Sequence, residues 1–147
     1  MPLAREPHSK YILMRKISTI CVVDDDPILV FGIKKLLSTV VDCDSIKDFG
    51  NGKLALDGIV ADFKKKGVVP EIIFLDLNMP VMDGWQFLRE FLQLPIENKV
   101  RINILTSSID ALDYENWEKF RTQTHHTITY NSKPIQKKDL EDITKSA

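Results

Sequence analysis

The chain has 147 residues, enough for one domain with a substantial core and too few for two. Its formal net charge of −1 argues against a dedicated nucleic-acid binder, which carries a basic excess, and gives no electrostatic reason to seek a membrane surface. No apolar run approaches the roughly 20 residues of a spanning helix, and the apolar stretch at 11–14 is too short for a signal-peptide core, so the chain is expected to be cytoplasmic.

Residues 1–16 are mixed and basic, contain Pro2 and Pro7, and show no period. They are expected to form a flexible extension ahead of a domain over 17–147. Residues 17–23 are apolar with high β propensity and read as the first strand, which runs into Asp24, Asp25, Asp26 and Pro27. Asp26 before Pro27 has the pattern of an N-cap with proline at N1. Ile28, Leu29, Ile33, Leu36, Leu37 and Val40 then recur at helical spacing. Residues 41–48 form a weaker strand. Leu54, Ala55, Leu56, Ile59, Val60 and Phe63 make the apolar face of a second helix, closed by three lysines and Gly67. Cys21 and Cys43 fall inside the strands and are expected to be small reduced core residues, not metal or disulfide partners.

Ile72, Ile73, Phe74 and Leu75 read as a strand buried on both faces, and the run stops at Asp76. Asn78, Met79, Pro80, Asp83 and Gly84 supply turn signals. A third helix carries Trp85, Phe87, Leu88, Phe91 and Leu92 and stops before Pro95; these aromatics read as core, and Asp83 as its cap. The fourth strand is 101–105, ending in Thr106, Ser107 and Ser108. Asp110 is placed to cap a fourth helix through Trp117 and Phe120. The fifth strand, 127–131, leads to Ser132, Lys133 and Pro134, and a last helix covers about 136–145. His8, His125 and His126 lack metal-ligand spacing and are expected to be solvated.

Strand and helix alternate five times, which implies a parallel sheet covered by helices on both faces. The C-terminal ends of parallel strands share one edge, where such sheets bind ligands. Asp24 and Asp25 follow strand one, Asp76 strand three, Thr106 strand four and Lys133 strand five, so all converge there. Carboxylates crowded together repel, and a hard divalent cation relieves the conflict. Mg²⁺ prefers oxygen ligands and keeps several waters. Asp25, Asp76 and the backbone carbonyl of Asn78 can bind it directly, with Asp24 acting through a water. With a lysine ammonium and a threonine hydroxyl added, the site suits phosphoryl transfer to Asp76 as nucleophile, giving an acyl phosphate.

These residues resemble the response-regulator receiver family of two-component signalling. The motifs are Val22-Val23-Asp24-Asp25, Asp76-Leu77-Asn78-Met79-Pro80 with Asp83-Gly84, Thr106-Ser107 and Lys133-Pro134. The resemblance implies a single doubly wound (βα)5, flavodoxin-like domain with parallel sheet order 2-1-3-4-5. It implies Asp76 as phospho-acceptor, Asp24 and Asp25 in the acidic Mg²⁺ pocket, and Asn78 as the carbonyl ligand. Thr106 becomes the switch hydroxyl, Tyr130 the switch aromatic, Lys133 the phosphate-pairing lysine, and the Lys133–Pro134 peptide cis. The phosphoryl donor would be a histidine kinase or histidine phosphotransfer protein. The output would be a change of the face formed by the fourth helix, fifth strand and fifth helix, read by a downstream protein, with Trp117 on the fourth helix a candidate for that face. With nothing following the last helix, a stand-alone, chemotaxis-type receiver is expected, catalysing only its own phosphorylation and dephosphorylation. Ser107 stands where the family often has alanine, and Asn78 and Ser108 are candidates for tuning phosphoryl lifetime.

Two rival readings use the same residues. A haloacid-dehalogenase-type phosphatase would pair Asp24 with Asp26, with Thr106 and Lys133 as later helpers, but leaves Asp76 without a role and finds late acidic ligands only in Asp139, Glu141 and Asp142, inside a short helix. A receiver-fold docking module independent of phosphorylation would leave the full set of pocket residues unused. A flavodoxin-type cofactor binder is disfavoured because the first loop has no phosphate-cradling glycines.

Overall fold

The computed structural model describes residues 16–107 and 110–146. The extension expected over 1–16 lies outside the described residues except for Lys16, which opens the first strand. Ser108 and His8 also lie outside them. The elements are β1 (Lys16–Val23), α1 (Pro27–Val40), β2 (Asp42–Phe49), α2 (Gly52–Lys66), β3 (Ile72–Asp76), α3 (Gly84–Phe91), β4 (Arg101–Thr106), α4 (Ala111–Arg121), β5 (Thr127–Ser132) and α5 (Lys137–Ser146). All strand pairs are parallel, in the order β2-β1-β3-β4-β5. This is the doubly wound (βα)5 arrangement.

Every residue of β3 is buried, as its unbroken apolar run requires of a central strand. Its side chains alternate between two cores. Ile73 and Leu75 join Val23, Leu56, Ile59, Phe87, Phe91 and Ile104 on the α2–α3 face. Ile72 and Phe74 join Ile20, Val22, Ile33, Leu37, Leu140 and Ile143 beneath α1 and α5. Cys21 is buried and Cys43 half-buried; both are free thiols, and burial pushes the Cys21 thiol up to about 12.

Helix starts follow their local sequence. The Asp26 carboxylate accepts from the Ile28 and Leu29 amides, and Pro27 occupies the first turn. Asp83 and Gln86 form a reciprocal capping box. Asp110 caps α4 by accepting from the Asp113 amide. Gly67 ends α2 in the left-handed conformation, with its amide on the Phe63 carbonyl.

Three sequence expectations are corrected. Ile28 is 82% exposed, because the buried stripe of α1 is Val30, Ile33 and Leu37, and a residue two positions before Val30 points to the far side of the helix. Leu54 is likewise exposed, standing off the Ala55, Leu56 and Ile59 stripe of α2. His126 is buried, not solvated: its Nδ1 accepts the Val100 amide at 2.9 Å. That bond supplies a partner for an amide at the start of β4 (buried amides need one) and makes the neutral ring the folded form. His125 is exposed, as expected. No helix among the described residues is long and apolar enough to cross a membrane.

Candidate functional site

The ends of β1 and β3 place their acidic residues side by side. Asp24, Asp25 and Asp76 each offer a carboxylate oxygen, and these oxygens lie within 4.8 Å of one another. Asp24 and Asp76 are buried, whereas Asp25 faces solvent. Asp24 is fixed locally. Its amide donates to the Phe49 carbonyl at the end of β2, and its Oδ1 accepts the Asp26 amide at 2.9 Å. Asp26 itself is turned into the α1 cap, which removes the Asp24–Asp26 pairing that the phosphatase reading needs.

Lys133 arrives from the end of β5. Its amide donates to the Thr106 carbonyl at 2.8 Å, and the peptide to Pro134 is cis. Its ammonium bridges Asp24 Oδ2 at 3.1 Å and Asp76 Oδ1 at 3.2 Å. Burial and the neighbouring Asp24 charge raise the Asp76 carboxyl above its ordinary value; Lys133 and a backbone hydrogen bond from Asn78 oppose this only in part. Burial pulls the Lys133 ammonium down, but Asp24 and Asp76 more than offset it, so it stays firmly charged. Three carboxylates therefore face one ammonium.

That imbalance, with an all-oxygen donor set and one carboxylate open to water, fits Mg²⁺, which keeps several of its waters. When bound, the ion supplies charge neutralisation at the carboxylates and at an incoming phosphoryl oxygen. Asn78 is exposed two residues beyond Asp76, where the chain turns back. Thr106 is buried at the end of β4, beside β3.

The loop between β3 and α3 is built around close backbone contacts. The Gly84 amide donates to the Leu77 carbonyl, and a Cβ at Gly84 would lie 2.4 Å from the Asp76 carbonyl oxygen. The Gly52 amide donates to the Met82 carbonyl, and a Cβ there would lie 2.8 Å from that oxygen. Between these ties the Met82 amide bonds to Pro80, two residues back, and holds Val81 at φ +69°. This is a strained γ-turn on a β-branched residue, at the rim of the site. Val81 is 81% exposed.

The switch aromatic expected at Tyr130 lies in a ring cluster. Trp117 stacks on it at 5.8 Å between centroids, Tyr114 meets it edge-on, and Arg121 covers the other ring of the stack. The Trp117 indole donates to the Ile128 carbonyl. Trp117 is thus partly covered. The Tyr130 hydroxyl is buried without a hydrogen-bond partner. Trp85, expected to be plain core, also stacks on Phe120 and donates its indole N–H to Asp113, tying the start of α3 to α4.

The roles of Gly52, Val81 and the Trp85–Asp113 bond were not anticipated. Their signals were faint: a Phe-Gly-Asn-Gly turn, a Pro-Val-Met run where a positive φ favours glycine, and a tryptophan with a polar tip that needs a partner when covered.

A parallel sheet whose strand ends gather acidic oxygens around one lysine defines an α/β module with a cation-receptive acidic edge. Comparison with known proteins makes the class specific. Residues 20–145 match the response regulator receiver domain family model, and the chain belongs to that family. An uncharacterized response regulatory protein of Vibrio cholerae is 29% identical over 129 residues, 87% of this chain and 44% of that protein. A protein-glutamate methylesterase/protein-glutamine glutaminase of Methanosarcina mazei is 40% identical over 63 residues, 43% of this chain and 16% of that protein. The chain spans less than half the length of these curated relatives. Among solved structures, a two component response regulator from Cytophaga hutchinsonii aligns with a TM-score of 0.75 at 27% identity, covering 90% of this chain and 97% of that one.

Proposed function

We propose that the chain relays a signal by accepting a phosphoryl group on Asp76. Asp25, Asp76 and the Asn78 carbonyl hold Mg²⁺, and Asp24 does so through a water. Lys133 pairs with the arriving phosphoryl oxygens. Transfer forms a bond from an Asp76 carboxylate oxygen to phosphorus as the donor's bond to phosphorus breaks. The donor is a histidine kinase or a histidine phosphotransfer protein. The observation that carries this reading is the gathering of Asp24, Asp25, Asp76 and the Lys133 ammonium at one sheet edge.

Thr106 and Tyr130 form the switch. The Thr106 hydroxyl moves to the phosphoryl group, Tyr130 shifts toward the space it leaves, and the face formed by α4, β5 and α5 is reshaped for a downstream protein. The buried, unpartnered Tyr130 hydroxyl supports this, since an unmade hydrogen bond costs about 1–3 kcal/mol and leaves that side chain a reason to move.

The test is Mg²⁺-dependent labelling of the chain by a small phosphodonor, followed by intact mass. Wild type should gain one phosphoryl group and Asp76→Asn none. Asp25→Asn should bind Mg²⁺ much more weakly. Unchanged labelling of Asp76→Asn, or equal metal affinity in Asp25→Asn, would overturn the assignment.

A further inference from the structure

The Trp85 indole makes two contacts with α4. Its ring lies flat on Phe120 at 5.7 Å between centroids, and its N–H donates to Asp113 Oδ1 at 2.9 Å. Asp113 and Phe120 stand two turns apart on one side of α4, so a single side chain grips the helix near both ends. The other end of the grip does not give. Trp85 follows Gly84, whose amide donates to the Leu77 carbonyl and which sits so close to Asp76 that a Cβ would lie 2.4 Å from its carbonyl oxygen. The Asp83–Gln86 capping box fixes the same turn, and buried Phe87, Leu88 and Phe91 seat α3 in the core. Helix α4 has no buried residue of its own. A bond between a fixed element and a loosely seated one transmits no motion from the first; it resists motion of the second.

Asp113 also borders the switch. Burial, then the charges of Asp113 and Asp110, raise the Tyr130 phenol above its ordinary value, yet the Tyr130 hydroxyl is without a hydrogen-bond partner. Both carboxylates are engaged elsewhere: Asp110 accepts the Asp113 amide, and Asp113 accepts the Trp85 indole. We propose that the Trp85–Asp113 bond is a latch that holds α4 against the displacement of the switch, and that Trp85 is the positioning residue that sets how readily Asp76 takes up a phosphoryl group. This rests on Asp76 being the acceptor and on α4 moving with Thr106 and Tyr130. Coupling between two sites is reciprocal. A phosphoryl group that favours the displaced helix is opposed, by the same factor, by a bond made only in the undisplaced one. Cutting the latch favours occupancy of Asp76 without touching it. A bond that merely braced the fold would stabilise both arrangements alike and leave that occupancy unchanged.

The experiment titrates the whole chain with beryllium fluoride, a stand-in for a phosphoryl group on a carboxylate, at fixed Mg²⁺, and reads binding by calorimetry. Trp85→Phe keeps a ring over Phe120 and loses the N–H; Asp113→Ala keeps the indole and loses the acceptor. Each should bind about fivefold more tightly than wild type, the scale of one net hydrogen bond, and the double variant no more tightly than either. Hydrogen exchange along α4 in wild type, with and without beryllium fluoride, separates the latch from the reading beneath it. With α4 responding in wild type, equal or weaker binding in the variants, or additive tightening in the double variant, overturns the latch alone. An α4 that does not respond overturns the switch as well. No binding by wild type overturns the acceptor with both.

Discussion

Asp76, at the C-terminal edge of the sheet, and His126, at the opposite edge, are equally hidden from solvent, each 5% exposed. Their surroundings differ. His126 has a matched partner: one ring nitrogen accepts one backbone amide, and the neutral ring needs no counter-charge. Asp76 shares a single ammonium with Asp24 while Asp25 stands nearby. Burial is complete and satisfied at one edge, complete and under-neutralised at the other. A polar group that is satisfied stabilises the fold. A group left short of positive charge stays receptive to a cation and to an electrophilic phosphorus.

The contrast can be sharpened by removing the counter-charge. Lys133→Met should lower stability by about 3 kcal/mol without metal, as expected when one partner of a buried ion pair is deleted. Mg²⁺ should restore much of that loss, because it supplies the missing charge. Urea unfolding with and without Mg²⁺ measures both; an equal loss in the two conditions would remove the claim that the edge is short of positive charge.

The other edge is broken by acid, to a similar extent. Burial, helped by His125, lowers the His126 imidazole from its ordinary 6.5 to about 4. Below about pH 6.5 the unfolded chain takes up a proton that the folded chain refuses, so stability falls as pH drops and the full loss is reached near pH 4. The shift corresponds to on the order of 3 kcal/mol. His126→Asn keeps an acceptor for the Val100 amide and removes the titration. Its stability should lose less than that of wild type over that range, and matching pH profiles would show that another group governs acid sensitivity.

The smallest expected effect concerns backbone strain at the acidic edge. Val81→Gly should raise stability by about 1 kcal/mol, the relief of a positive-φ β-branched residue less the flexibility that glycine adds to the unfolded chain. A decrease in melting temperature would mean that the γ-turn is not strained in solution.

How much of this was legible in the sequence follows from the same contrast. Asp24, Asp25, Asp76, Thr106 and Lys133 each end an apolar strand, and in a parallel sheet a strand end is also an address in space. Their convergence could be read without coordinates. Asp26, Asp83 and Asp110 could be read as caps because a cap acts within three residues. His126 could not be read, since its partner Val100 lies across β4, helix α4 and the loops beside them. The same holds for Gly52 against Met82 and Trp85 against Asp113, contacts between segments whose local sequence does not refer to each other. Ile28 and Leu54 are apolar yet exposed, because the phase of the helix and not apolar identity decides which side faces the core.

Helix α4 contains no buried residue along its length, unlike α1, α2 and α3. Two indole N–H groups act as its pegs, Trp85 reaching to Asp113 from α3 and Trp117 reaching to Ile128 on β5. The helix's contacts with the core are the partly buried Trp117 and Phe120, so re-seating it disturbs less core than moving α1, α2 or α3 would. Displacing it calls for exchanging a few directional bonds, and that small toll is within reach of the phosphoryl group proposed on Asp76 at the end of β3.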